Sequence, residues 1–174
     1  MLNFAGTCFL LGADSAFASA AIGMILPKGR LRWQLPAAFA ICDGLFSFLG
    51  CVTRPGLAID RSVAEGITLL AAIVAMGLLL VLAASSKHTH STRTGKTVIL
   101  VAIPLLLAVD NYFGGEASSA IIPPATLALA TAGTSYLTSL SGLFIGEWTG
   151  ARLQRFGWSA TAPVALLLMA MIAS

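Results

Sequence analysis

Six apolar runs divide this chain of 174 residues, with only short polar connections between them. Crossing the roughly 30 Å of membrane hydrocarbon takes about 20 residues of helix, so six such runs leave no length for a soluble domain. The composition agrees: 57% of the residues are hydrophobic and 10% charged, far from the balance of a soluble fold. The expected fold class is therefore all-α integral membrane, one transmembrane domain over 1–174. The spans are expected at 3–26, 36–52, 63–84, 97–113, 124–148 and 159–173.

The boundaries follow from helix chemistry. Pro27 stops the first run and precedes a basic connection holding Lys28, Arg30 and Arg32, since proline has no N–H to continue a helix. Trp33 suits the membrane interface. Pro36, a favoured first-turn residue, is expected to open the second span, and the 53–62 stretch with Arg54, Pro55, Gly56, Asp60 and Arg61 reads as a turn-rich loop. The third span is aliphatic past Glu65 and suits a scaffold. The 85–96 loop is the most polar part, with His88 and His90; a solvated loop is the plain reading, a metal-collecting mouth the sharper one. Pro104 lies inside the fourth span and Gly114-Gly115 follows Asp110, so this helix is expected to be kinked or broken. Pro123-Pro124 opens the fifth, in which Thr131, Thr134, Thr138 and Ser141 recur at spacings of three and four and are expected to share a face. Glu147, near Arg152 and Arg155, is expected in an interfacial ion pair.

Eight of the ten Lys and Arg residues fall in the odd-numbered loops. Cytoplasmic loops carry the excess of base, which places the 85–96 loop in the cytoplasm of a multi-pass inner-membrane protein and both termini outside. The net charge of +3 thus reports orientation; a nucleic acid is not an expected partner. Cys8, Cys42 and Cys51 form no CxxC pair and read as buried thiols. The apolar first run extends to Leu26, longer than a usual signal-peptide core, and is read as a retained helix.

Chemistry enters through three carboxylates. Asp14 lies in Leu11-Gly12-Ala13-Asp14-Ser15-Ala16, Asp43 near the centre of the second run, and Asp110 in Leu107-Ala108-Val109-Asp110-Asn111-Tyr112. Each would cost about 2.5 to 3.5 kcal/mol at the centre of a lipid-facing helix, so each is expected to face protein or a water-filled path. No Lys or Arg lies at their depth to neutralise them. Several close carboxylates suit a hard divalent cation such as manganese or magnesium, and they repel one another, so one is expected to hold a proton that metal entry displaces. Ser15, Ser47, Asn111, Thr138 and Ser141 are candidate neutral oxygens for the same ion. The plain alternative is structural: each acid satisfied by a hydroxyl, a backbone group or a proton.

Asp14 and Asp110 stand 96 residues apart, and Gly44-Leu45-Phe46 recurs as Gly142-Leu143-Phe144 98 residues later. The halves, 1–84 and 97–174, read as two three-helix repeats. Three being odd, the second is inverted relative to the first, an arrangement transporters use to place a site near the midplane.

On these stretches the chain resembles a known family, the small six-helix bacterial manganese exporters of the MntP type within the lysine-exporter superfamily. The resemblance covers nearly the whole chain. It rests on Ala13-Asp14-Ser15-Ala16-Phe17-Ala18-Ser19, on Ala108-Val109-Asp110, on Phe39-Ala40-Ile41-Cys42-Asp43, where the family has a glutamate, and on the region from Gly146 to Gly157. Family members usually place alanine after each aspartate, where this chain has Ser15 and Asn111. The resemblance implies manganese efflux with Asp14 and Asp110 as the working acids and Asp43 as an addition to them.

The expectation from sequence is thus a secondary transporter and not an enzyme, with no resident cofactor, a divalent cation as substrate, and protons and the lipid bilayer as partners. No GxxxxGK[ST] loop for nucleotide is present. Export of an amino acid or similar solute, and a non-transporting membrane scaffold, are the competing readings.

Overall fold

The computed structural model describes residues 13–25, 31–53, 60–84, 98–118 and 122–155. The expected sixth span, the 85–96 loop with His88 and His90, and Cys8 lie outside the described residues. Within them the chain is helical and no strand occurs: α1 is Ala13–Ile25, α2 Leu31–Thr53, α3 Arg61–Ala84, followed by a π-helical turn Val98–Ala102, then α4 Ile103–Leu107, α5 Val109–Ser118 and α6 Pro124–Arg155. Among the described residues, two helices are long and apolar enough to cross a membrane, over Arg32–Thr53 and Ser62–Val81.

Several ends differ from the sequence expectation, each for a local reason. Helix α2 starts at Leu31, and Pro36 sits inside it, buried. Near a helix start the proline forfeits one backbone bond, and the turn before it is held by the Arg32 guanidinium, 4.0 Å from the centre of the Phe144 ring on α6. Helix α3 starts at Arg61 because Asp60 caps it. The Asp60 carbonyl accepts from the N–H groups of Val63 and Ala64, both at 3.0 Å, and its Oδ1 from that of Ser62 at 3.3 Å. Helix α6 opens as expected at Pro124, with the Leu127 N–H donating to the Pro123 carbonyl at 3.1 Å. It runs past Trp148 to Arg155, 32 residues in all, about 48 Å at 1.5 Å per residue. Arg152, expected near Glu147, stacks instead on the Trp148 ring one turn back, at 3.8 Å.

The fourth run is broken, and the break is not at Gly114-Gly115, which lie inside α5. Pro104 has no N–H to offer the Leu100 carbonyl, and the backbone before it widens into the π turn Val98–Ala102. A second interruption follows at Ala108, whose N–H closes onto the Pro104 carbonyl at 3.0 Å. Asp110 and Asn111 therefore stand in the first turn of a separate short helix.

Helix α6 is the axis of the bundle, with α1 and α2 its main neighbours, while α5 packs on α2. A Cβ added at Gly142, Gly146 or Gly150 would run into the backbone of Ala16, Ala20 or Met24 respectively. This constant register makes α1 and α6 parallel, in backbone contact over two turns, the approach that small residues permit between apolar helices. Arg32 meets Phe144 while Gly44 meets Ala128 and Ala132, so α2 runs antiparallel to α6. On α5, Asn111 faces Asp43 and Gly115 abuts the backbone of Ser47 one turn on, so α5 runs with α2 and against α1. An apolar core of Ala18, Ile22, Phe39, Leu79, Ile103 and Leu143 joins α1 through α4 to α6. Helix α3 is peripheral, with Leu70 63% and Val81 62% exposed.

Candidate functional site

The three acids arrive on three helices at one level. Ser15, next to Asp14, shares a 3.2 Å hydrogen bond with Thr138, and Asp43 faces Ser135, one turn earlier on α6. Asn111, next to Asp110, faces Asp43 as well. The level is the middle of α6, between its ends at Pro124 and Arg155. The carboxylates are close enough for their charges to interact, Asp14 with both Asp110 and Asp43, and Asp43 with Asp110. The only basic residues in α1, α2, α5 and α6 are Arg32, Arg152 and Arg155, near helix ends.

Asp14 and Asp110 are held alike. Each Oδ1 accepts a 2.7 Å hydrogen bond from the N–H of the next residue, Ser15 or Asn111. Both are partly exposed. Asp43 differs. It is fully buried, and neither of its oxygens has a hydrogen-bond partner; the Ser47 and Ser135 hydroxyls and the Asn111 amide are equally buried and equally unpaired.

Of the candidate neutral oxygens, Ser15, Ser47 and Asn111 are fully buried, and Thr138 reaches Ser15 while also donating to the Thr134 carbonyl at 2.9 Å. Ser141 is not brought to the site: it lies on the exposed side of α6. The hydroxyl face read at spacings of three and four is corrected by one at four, through Thr131, Ser135 and Ser139, all fully buried. Ser139 shares a 2.5 Å hydrogen bond with Ser19 of α1. Ser19, Ser135 and Ser139 escaped the sequence reading. Their signal was present as Thr131-x3-Ser135-x3-Ser139 running into Gly142-x3-Gly146-x3-Gly150, a continuous stripe of small residues.

Chemically, the arrangement offers carboxylates, hydroxyls and an amide oxygen, all hard donors. Among the described residues no three His, Cys, Asp or Glu side chains cluster tightly enough to hold a metal ion by themselves, so a divalent ion here would draw on the neutral oxygens too. Cys42 and Cys51 are free thiols, and Cys51 donates to the Gly115 carbonyl at 3.1 Å, tying α2 to α5. At the same end, the Thr53 and Tyr112 hydroxyls are 2.7 Å apart. Compared with family models, curated proteins and solved structures, the chain matches none.

Proposed function

We propose that the chain is a multi-pass inner-membrane secondary transporter that exports a divalent cation, manganese first among the candidates, with Asp14 and Asp110 as the acids that meet it. The observation that carries this reading is the meeting of Asp14, Asp43 and Asp110 at the middle of the bundle, within reach of one another's charge and, among the described residues, with no basic residue at their level. A concentration of negative charge in a low-dielectric interior attracts a cation and repels an anion, and oxygen donors select a hard one. The outward faces support a lipid setting: Ile41 is 68%, Leu129 75% and Leu137 64% exposed, apolar surface that water would not tolerate in such amount.

The two-repeat reading gains support from the packing. Exchanging the halves carries α1 onto α5 and α2 onto α6, which turns the close α1–α6 contact into the α2–α5 contact and leaves the α2–α6 contact in place. Each of these contacts is set by a glycine against a neighbouring helix: Gly142 on Ala16, Gly115 on Ser47, Gly44 on Ala128. Such sliding surfaces suit a bundle that rocks about a central site to open it alternately to either side. Metal entering from the cytoplasm displaces protons from the acids, and proton return accompanies release outside.

The test is growth of a bacterial host lacking its own manganese exporter. Expressing this chain should restore tolerance to excess manganese and lower cell manganese. Tolerance to an excess amino acid or dipeptide instead would replace the reading with solute export, and no change with any of them, at normal membrane levels of protein, would point to a scaffold.

A further inference from the structure

We propose that Asp43, Ser47, Asn111 and Ser135 form a second site, for a small monovalent cation of the sodium class, distinct from the Asp14 and Asp110 pair. Three helices supply it: Asp43 and Ser47 stand one turn apart on α2, Asn111 is in the first turn of α5, and Ser135 is on the buried face of α6. All four side chains are 0% exposed, and none of their oxygens, two from Asp43 and one from each of the others, has a hydrogen-bond partner. Buried polar atoms are paired as a rule. Asp43, Asn111 and Ser135 meet from three helices, Ser47 lies one turn from Asp43 on α2, and their unpaired atoms call for a partner.

The donor set points to an ion. Ser135 and Asn111 both direct their polar groups at the Asp43 carboxylate, and its oxygens stay short of a closed hydrogen-bond geometry. Carboxylate, hydroxyl and amide oxygens are the donors a hard cation takes. The charge points to its valence. One carboxylate with hydroxyl and amide oxygens neutralises a single positive charge. A proton on Asp43 would serve that carboxyl and at most one neighbour, and a water would leave the carboxylate charge uncompensated.

The site's existence does not depend on the transport reading; its use as a coupling site does. Because Asp43 interacts with Asp14 and Asp110, occupancy by one cation changes the affinity of the other site, and the effect is reciprocal.

Binding is tested with no cargo present. Purified full-length protein in lipid nanodiscs with a chelator is titrated with sodium chloride against choline chloride at constant ionic strength, and its thermal unfolding midpoint is followed. Sodium should raise the midpoint saturably, and more than potassium does. Ser135→Ala should raise the half-saturating sodium concentration by about tenfold or more, and Asp43→Asn should abolish the response, while Leu137→Ala, on the exposed face of α6, leaves it unchanged. Equal midpoints in sodium and choline overturn the site. So does a sodium response unaltered in Ser135→Ala, a variant small enough to decide the matter if Asp43→Asn does not fold. Stabilisation by manganese rather than sodium, lost in Ser135→Ala, would assign these oxygens to the cargo and overturn the second site while sparing the proposed function.

Discussion

Asp14 and Asp110 make the same bond on antiparallel helices: each carboxylate Oδ1 accepts from the N–H of the residue after it, at 2.7 Å in both cases. The shared bond turns each carboxylate back along its own helix and fixes one oxygen. The partner of Asp14 belongs to Ser15, itself pinned to Thr138, and that of Asp110 to Asn111. The two acids are thus oriented alike and lie within each other's field.

From that pairing follows a test by isosteric substitution. Asp14→Asn and Asp110→Asn each keep the side-chain size and an oxygen to accept the 2.7 Å bond, and remove the charge. Each should abolish manganese efflux with normal protein levels, and the double variant should be no worse than either single, since groups acting as a unit are non-additive. Cell manganese after a pulse of the metal, set against the amount of protein in the membrane, measures both. Parent-like export by the two single variants would return these acids to a structural role.

The glycine stripe on α6 makes a different prediction, about folding. Gly142→Val and Gly146→Leu drive a side chain into the backbone of Ala16 and Ala20, an overpacking expected to cost about 1 to 3 kcal/mol where α1 and α6 cannot part. Gly133 has open space around its Cα, so Gly133→Ala should be neutral or stabilising by up to about 1 kcal/mol through helix propensity. Thermal unfolding in detergent should rank the three variants in this order, with Gly133→Ala the most stable.

Orientation is open to direct measurement. In the six-span reading eight of the ten basic residues fall in or beside odd-numbered loops, so a cysteine placed at His88 should resist an external impermeant thiol reagent, and a reporter active only in the cytoplasm should be silent when fused after Ser174. Labelling at position 88 from outside, or an active reporter after Ser174, would reverse the assignment.

Much of this was legible in the sequence because it is one-dimensional. Apolar length gave α2 and α3, proline gave the start of α6 and the break in the fourth run, and the cost of a carboxylate in hydrocarbon singled out Asp14, Asp43 and Asp110. What was not legible depends on which partner satisfies a polar group. Thr131, Thr134 and Thr138 donate to their own helix, to the carbonyls of Leu127, Ala130 and Thr134, as threonine can in any helix. Their spacing therefore said little about where a site lies, whereas Ser135, which makes no such bond, faces Asp43. Boundaries failed in the same way. Asp60 caps α3 with its own carbonyl and carboxylate, and the turn ahead of Pro36 is secured by an Arg32–Phe144 contact between helices 112 positions apart in sequence.

The broken fourth run carries the last prediction, one about movement. Between the π turn Val98–Ala102 and the interruption at Ala108, α4 has only five residues, so α5 with Asp110 and Asn111 follows two soft joints in close succession. Interruptions of this kind are where a helix bends. Pro104 maintains the first of them by withholding an N–H from the Leu100 carbonyl. Pro104→Ala restores that donor, and its helix propensity is better by about 3 kcal/mol in a helix interior, so the run over 98–107 should become a regular α-helix with slower amide exchange. If bending here lets α5 carry Asp110 between its two orientations, the variant should be at least as stable as the parent and export more slowly. Hydrogen exchange over 98–118 and the initial rate of manganese efflux measure the two sides of this trade. A variant that gains exchange protection in this region and exports at the parental rate would show that the joints shape the helix without serving transport.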